Sequence, residues 1–150
     1  MLIPSQSITF HDVDVENADH VGVFLSGIDQ TYFAHASRRA VERFVRETGD
    51  VHLIGCIADQ IVVFGMLRGW HEGFQEPSLG IAVGQGAQGR GIGRLMMAEL
   101  ESRARHRGAR SIRLRVHPEN DRARRLYEGC GYVVIGLERG EYLMRLDLSR

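Results

Sequence analysis

The chain has 150 residues, 43% hydrophobic and 25% charged, the makeup of a single globular domain able to bury a core. Net charge is zero and every fixed cation is an arginine, since no lysine occurs; a neutral chain without a reader motif argues against nucleic acid as partner. The longest apolar runs, such as Ile61-Val62-Val63-Phe64, fall far short of the ~20 residues that cross a bilayer, and the start lacks a signal-peptide pattern, so a soluble, cytoplasmic protein with no membrane partner is expected.

Two cysteines, Cys56 and Cys130, form no disulfide framework and no metal-ligand spacing, so both read as small core residues and no metal is expected. The charge is lopsided. Residues 1–89 hold 5 Arg against 11 acids, residues 90–150 hold 14 Arg against 8. The planar guanidinium fork suits bidentate phosphate contacts, and the arginine-rich second part therefore suggests a small phosphorylated ligand.

In chain order, residues 7–10 read as a short strand, with Ile8 and Phe10 on one face. Asn17 stands as a helix cap before Val21, Phe24, Leu25 and Ile28; a second helix carries Ala40, Val41, Phe44 and Val45 and ends near Gly49. Between Val51 and Trp70 two apolar runs flank Asp59-Gln60, predicting an antiparallel hairpin, and Leu79 to Val83 reads as a buried third strand. After Gly84 the period becomes helical, with Ile92, Leu95, Met96, Leu100 and Ala104 on one stripe and Gly108 as the stop. From Ser111 to Val116 the residues alternate, Ile112, Leu114 and Val116 to one side and Arg113 and Arg115 to the other. Asn120 or Asp121 caps a short helix carrying Ala123, Leu126, Tyr127 and Cys130, with Gly131 beyond its end. Two final strands, 132–137 and 142–148, flank the turn Arg139-Gly140. The order β-α-α-β-β-β-α-β-α-β-β mixes hairpins with crossovers and predicts an α+β fold on a mixed, largely antiparallel central sheet with helices on both faces.

The glycine-rich segment from Gly84 to Arg94 lies between a buried strand and an amphipathic helix. A helix start presents unpaired N–H groups and partial positive charge, and glycines let phosphate oxygens approach the main chain. A Walker loop needs Gly-Lys, which a chain without lysine cannot supply. Gly84-x-Gly86-x-x-Gly89 matches the dinucleotide fingerprint, but the expected acid about 20 residues on is missing, where Arg107, Gly108, Ala109 and Arg110 stand instead.

The third match is Gln88-x-x-Gly91-x-Gly93 before an apolar helix, and here the sequence resembles the GNAT superfamily of N-acetyltransferases. Asn120-x-x-Ala123-x-x-Leu126-Tyr127-x-x-x-Gly131-Tyr132 is similar to a second signature of that family, with Tyr132 where Phe is usual. The resemblance runs through the whole element order and is most specific from Ser78 to Tyr132. It implies a single N-acetyltransferase domain over residues 1–150, with acetyl-CoA as co-substrate. By the same resemblance Gln88, Gly89, Arg90, Gly91, Ile92, Gly93 and Arg94 would hold the pyrophosphate. The main chain of Ile81, Ala82 and Val83 would pair with the pantetheine arm in a gap between splayed strands, Asn120 would contact the carrier, and Tyr127 would face the sulfur. A homodimer through the last strands is common among such relatives.

Amine attack on a thioester needs a donor to the carbonyl oxygen and a proton for the departing thiolate. A backbone N–H near Val83 meets the first need. A phenol with an ordinary pKa of ~10 meets the second against a thiol of about 8.5, uphill by about 2 kcal/mol, so Tyr127 is the expected acid. The base is open. Relatives carry a Glu at the position of Pro77, and the strand after it has no ionisable residue. Glu76 and His117 are the leading substitutes, with Glu72 and His71 also in reach.

The acceptor pocket is expected from the first helices and the loop holding Trp70, His71 and Glu72, with His35 as a further contact. That aromatic, acidic mixture suits a small-molecule amine such as an amino sugar, or a protein amine. A non-catalytic acyl-CoA-binding module is the alternative, prompted by the missing carboxylate at Pro77.

Overall fold

In the computed structural model of the protein, the described residues are 7–28, 38–47 and 49–149, with the side chain of Arg38 left aside. The elements follow the predicted order: β1 Thr9–Asp12, α1 Ala18–Ser26, α2 Arg38–Arg46, β2 Val51–Ile57, β3 Gln60–Arg68, β4 Ser78–Val83, α3 Ile92–His106, β5 Ser111–Val116, α4 Asp121–Gly129, β6 Val133–Glu138 and β7 Glu141–Asp147. One turn of 3-10 helix, Gln85–Ala87, precedes α3. The described strands make a seven-stranded sheet in the order β1-β2-β3-β4-β5-β7-β6. Every neighbouring pair is antiparallel except β4 and β5.

Several local expectations shift. The first strand starts two residues later than the apolar pattern placed it. The β2–β3 turn is Ala58-Asp59, both with positive φ, which leaves Gln60 inside β3 because a two-residue turn of this hand matches the strand twist. Asn17 stands at the N-cap of α1, but its side chain does not cap the helix: Nδ2 donates to the Asp12 carbonyl and Oδ1 accepts from the Asp14 N–H. On α3 Met97 is buried, whereas Leu95 is 48% exposed. The buried stripe is thus Ile92, Met96, Met97, Leu100 and Ala104, rotated slightly from the predicted one.

Each sheet face carries its own core. Leu53, Val63, Leu67, Ile112, Leu114 and Met144 pack with the α3 stripe, and Tyr127 and Tyr132 join them. On the other face Ile54, Phe64, Met66 and Ala82 pack against Val21 and Leu25 of α1 and Val41 and Phe44 of α2. α3 approaches β3 so closely that a Cβ on Gly65 would stand 2.6 Å from the Met96 sulfur. Among the described residues no helix is long and apolar enough to cross a membrane.

Candidate active site

The break in the sheet builds the site. β4 and β5 share one register pair, Ser78 with Arg113, and the Arg113 N–H donates to the Pro77 carbonyl at 3.0 Å; beyond that rung the strands part. The Gly84 N–H donates to the Val62 carbonyl on β3, and this fixes the alternation along β4. Gly80 and Ala82 direct their main-chain groups to β3, while Ile81 and Val83 direct theirs toward the gap. Of the three residues assigned to this edge, Ala82 lines the cavity but has its main-chain groups tied to β3 and its side chain in the core.

Past the end of β4 the chain makes the 3-10 turn, and the dinucleotide-like glycine spacing falls on that turn rather than on a strand-to-helix junction. Gly89 and Gly91 both have φ of +77, and nothing lies within 4 Å of where their side chains would stand. Glycine takes this left-handed backbone without strain. Gly91 caps α3 with no side-chain hydrogen bond, and the first intrahelical bond runs from Leu95 back to Gly91 at 3.2 Å. The N–H groups of Ile92, Gly93 and Arg94 thus have no acceptor within the helix. A Cβ on Gly93 would press on Leu126 at 3.2 Å and Val83 at 3.4 Å, so this glycine lets α3, α4 and β4 meet beside the gap.

A cavity of about 1290 Å³ runs from this helix start through the gap to the α2 side of the sheet. It exceeds the ~300–1,000 Å³ of a typical small-ligand pocket. Ile81, Val83, Gln88, Gly91, Arg94, Asn120 and Tyr127 line it, with His117 and Glu72. Arg90 is exposed and does not line it. Arg122, on the first turn of α4, lines it without having been singled out in the sequence.

Tyr127 is 6% exposed, its ring 6.2 Å from that of Tyr132. Burial, with a small contribution from Cys130, pushes its phenol far above the ordinary value. The hydroxyl keeps its proton at any physiological pH, and complete transfer to a thiolate is harder than an ordinary phenol would make it. Asn120 caps α4 by accepting from the Ala123 N–H at 3.3 Å, which leaves its amide NH₂ to the cavity.

Glu76 is drawn elsewhere. Its carboxylate accepts from Arg145 Nε at 2.7 Å and Nη2 at 3.2 Å, and from Ser111 Oγ at 2.5 Å, and it does not line the cavity. Burial raises its pKa, but the bonds from Arg145 and Ser111, helped by the charges of Arg145 and Arg113, outweigh that and hold it below the ordinary value. At His117, Nδ1 accepts from the Glu119 N–H at 3.2 Å, so the neutral ring carries its proton on Nε2.

Trp70 and His71 stand away from the cavity. The Arg107 guanidinium lies 4.6 Å over the Trp70 ring, and His71 is exposed, its N–H bound to Asp50 Oδ1 at 2.9 Å. His35 lies outside the described residues. The α2 side of the cavity is walled instead by Phe44, His52, Arg43, Arg68 and Phe74, with Glu47, Asp50 and Glu141. His52 stacks on Phe44 at 4.1 Å; burial, opposed by Asp50 and helped by Arg68, lowers its pKa to about 4, so it is neutral at pH 7. An apolar-looking strand hid it, and only its pairing with a helix aromatic reveals its place.

The family model for the acetyltransferase (GNAT) family matches residues 14–132, a span that holds the gap, the glycine turn, α3 and α4. The chain belongs to the acetyltransferase (GNAT) family. Its fold is similar to that of solved acetyltransferases at low identity. A GNAT-family acetyltransferase of Streptococcus pneumoniae superposes with a TM-score of 0.82 at 19% identity, covering 94% of this chain and 99% of that one. The PaiA N-acetyltransferase of Thermoplasma acidophilum, solved with coenzyme A, gives 0.82 at 16% identity, with 94% and 99% covered. YncA of Salmonella typhimurium, solved with its cofactor acetyl-CoA, gives 0.78 at 16% identity, with 97% and 95% covered. No curated protein sequence matches the chain.

Proposed function

We propose that the chain is one N-acetyltransferase domain that moves acetyl from acetyl-CoA directly to a primary amine in a ternary complex. The observation that carries this reading is the one-rung β4–β5 junction, which opens an unpaired main-chain edge between the uncapped start of α3 and the Tyr127 phenol. The residues fit a CoA carrier. Open space over Gly89 and Gly91, three outward N–H groups and the guanidinium groups of Arg94 and Arg122 suit a pyrophosphate. PaiA and YncA hold coenzyme A and acetyl-CoA in the same fold. We place the protein in the cytoplasm with this co-substrate.

Acetyl-CoA, when bound, would supply an activated acyl group and carry its sulfur away as a thiolate, which takes its proton from water. The chain's own residues do the rest. Ile81 and Val83 present donors and acceptors to an extended amide-bearing arm as a neighbouring strand would, and an N–H of this edge donates to the acyl oxygen. Tyr127 keeps its proton and donates it in a hydrogen bond to the departing sulfur, stabilising charge there more than surrendering the proton outright. For the amine proton we assign Glu72, acting through water: it lines the cavity, whereas Glu76 is engaged by Arg145 and His117 presents a donor. The test is thiol release from acetyl-CoA with a panel of amines. Turnover supports the enzyme; a rise in melting temperature with acetyl-CoA but no thiol release with any amine makes the protein an acyl-CoA-binding module.

The exposed edge strand β6 supports a homodimer. Val133, Val134, Ile135 and Leu137 are between 43% and 65% exposed at the margin of the sheet, an apolar edge of the kind that pairs with another chain. Sedimentation should give a dimer that Ile135→Lys converts to monomer; a monomeric parent rejects the pairing.

A further inference from the structure

Across the sheet, Arg68 pairs with Ser78 and Ser78 pairs with Arg113. Residues opposite one another in neighbouring strands share a face, so two guanidinium groups flank a hydroxyl at the one rung where β4 and β5 still meet. All three line the cavity on the side of α2. Three of the nearby carboxylates are committed elsewhere. Glu76 serves Arg145 and Ser111, Arg115 is paired with Glu138 at 2.9 Å, and Asp50 Oδ1 accepts from the N–H groups of Gly69 and His71. Among the described residues neither Arg68 nor Arg113 has a carboxylate within ion-pair distance. Arg68 goes further: its Nε is buried and has no hydrogen-bond partner. A buried charged donor without an acceptor is costly and rare in a folded protein, and a ligand that brings the acceptor removes that cost.

We infer that Arg68, Ser78 and Arg113 form a cradle for an anionic group of the acceptor, and that the acceptor is an amine bearing a carboxylate, as in an amino acid. The inference rests on the acetyltransferase reading and adds the acceptor class to it. A planar carboxylate takes two parallel bonds from one guanidinium while the second guanidinium and the hydroxyl satisfy its remaining lone pairs. The cradle lies three residues before Ile81, or about 10 Å along the strand. A compact molecule held by long arginine side chains can therefore place its amine at the gap while its carboxylate stays at the rung.

The test offers matched pairs of acceptors: free amino acids against their carboxamides, and aminoalkylphosphonates against the corresponding amino alcohols. Thiol release is measured, and calorimetry follows binding of the same compounds to the CoA-saturated protein. The carboxylate member of a pair should be favoured at least about tenfold, the usual strength of a charge-assisted contact. Arg68→Met should collapse the preference toward unity while acetyl-CoA affinity holds, and Arg68→Lys should restore part of it. Arg113→Met should act the same way, and it carries the test if Arg68→Met does not fold. Equal treatment of acid and amide, or a preference that survives both substitutions, overturns the cradle. A preference confined to phosphonates overturns the carboxylate assignment. Carboxylate-selective binding without any thiol release upholds the cradle and defeats the acetyltransferase reading instead.

Discussion

The two ends of the cavity are built by different means. The end at the start of α3, proposed for the carrier, is made largely of main chain: two glycines in left-handed backbone, a helix start without a side-chain cap and a strand edge without a partner. The acceptor end is made of side chains that meet from separate strands, Arg68, Ser78 and Arg113 across the sheet and His52 against Phe44 of α2. A main-chain site can be read from spacing, because glycines and a helix cap must be consecutive. A side-chain site depends on register and packing, so it tolerates great variety and leaves little trace in the sequence.

The largest effect that separates the ends is at their junction. Tyr127→Phe keeps the ring against Tyr132 and removes the one donor assigned to the sulfur, so kcat should fall by about 10²–10³ with melting temperature and acetyl-CoA affinity nearly unchanged. Activity within about twofold of the parent, measured on the same preparation as the melt, would make Tyr127 a core residue.

At the carrier end, Gly91→Asp should weaken acetyl-CoA binding by about a hundredfold or more, as negative charge enters a helix-start anion site. Asp tolerates this backbone better than most residues and caps helices well, so the fold should survive. Unchanged affinity by calorimetry would remove the pyrophosphate from that helix.

Two acids sharpen the comparison at the acceptor end. Glu72→Gln should lower kcat/KM and remove the acidic limb of its pH profile. Glu76→Gln should leave that limb in place and lower stability by about 1–2 kcal/mol, the loss of a charge-assisted hydrogen-bond pair. The reverse pattern would return the base to Glu76.

His52 gives a signal in stability alone. Its pKa is about 4 in the folded protein against 6.5 ordinarily. A lowered histidine takes up its proton more readily unfolded, so no stability is lost above pH 6.5. Between 6.5 and about 4 the loss accumulates to about 3 kcal/mol. The lowered Glu76 acts in the same direction but only below the ordinary carboxylate value, so the window above it belongs to His52. His52→Gln should flatten urea midpoints between pH 6.5 and 5; an undiminished slope would assign it to other groups.

Much of the fold was legible in the sequence. The strand–helix order followed from periodicity, and β5 from strict alternation between Ser111 and Val116. The glycine turn and the Asn120 cap were readable for the same local reason. The long-range choices were not. Arg113 and Arg115 could be assigned to one face of a strand, yet nothing local said that Arg68 would stand beside them, since that needs the registers of two further strand pairs. Glu76 lay next to the position where relatives carry a carboxylate, and only the approach of Arg145 from β7 shows that its charge is already in use. Trp70 looked like pocket aromatic surface until Arg107 covered it.

The single rung between β4 and β5 has a measurable signature in amide exchange. A complete ladder shields alternate amides of a strand from both neighbours, but here the N–H groups of Ile81 and Val83 face a gap while those of Gly80 and Ala82, one residue away, are tied to β3. Exchange along the middle of the sheet should therefore alternate, fast at odd positions and slow at even ones, within a strand that shares one fixed backbone. An arm laid into the gap would slow the odd amides alone and stitch the β1–β4 half to the β5–β7 half, so the co-substrate would serve as the missing strand of the protein's own sheet.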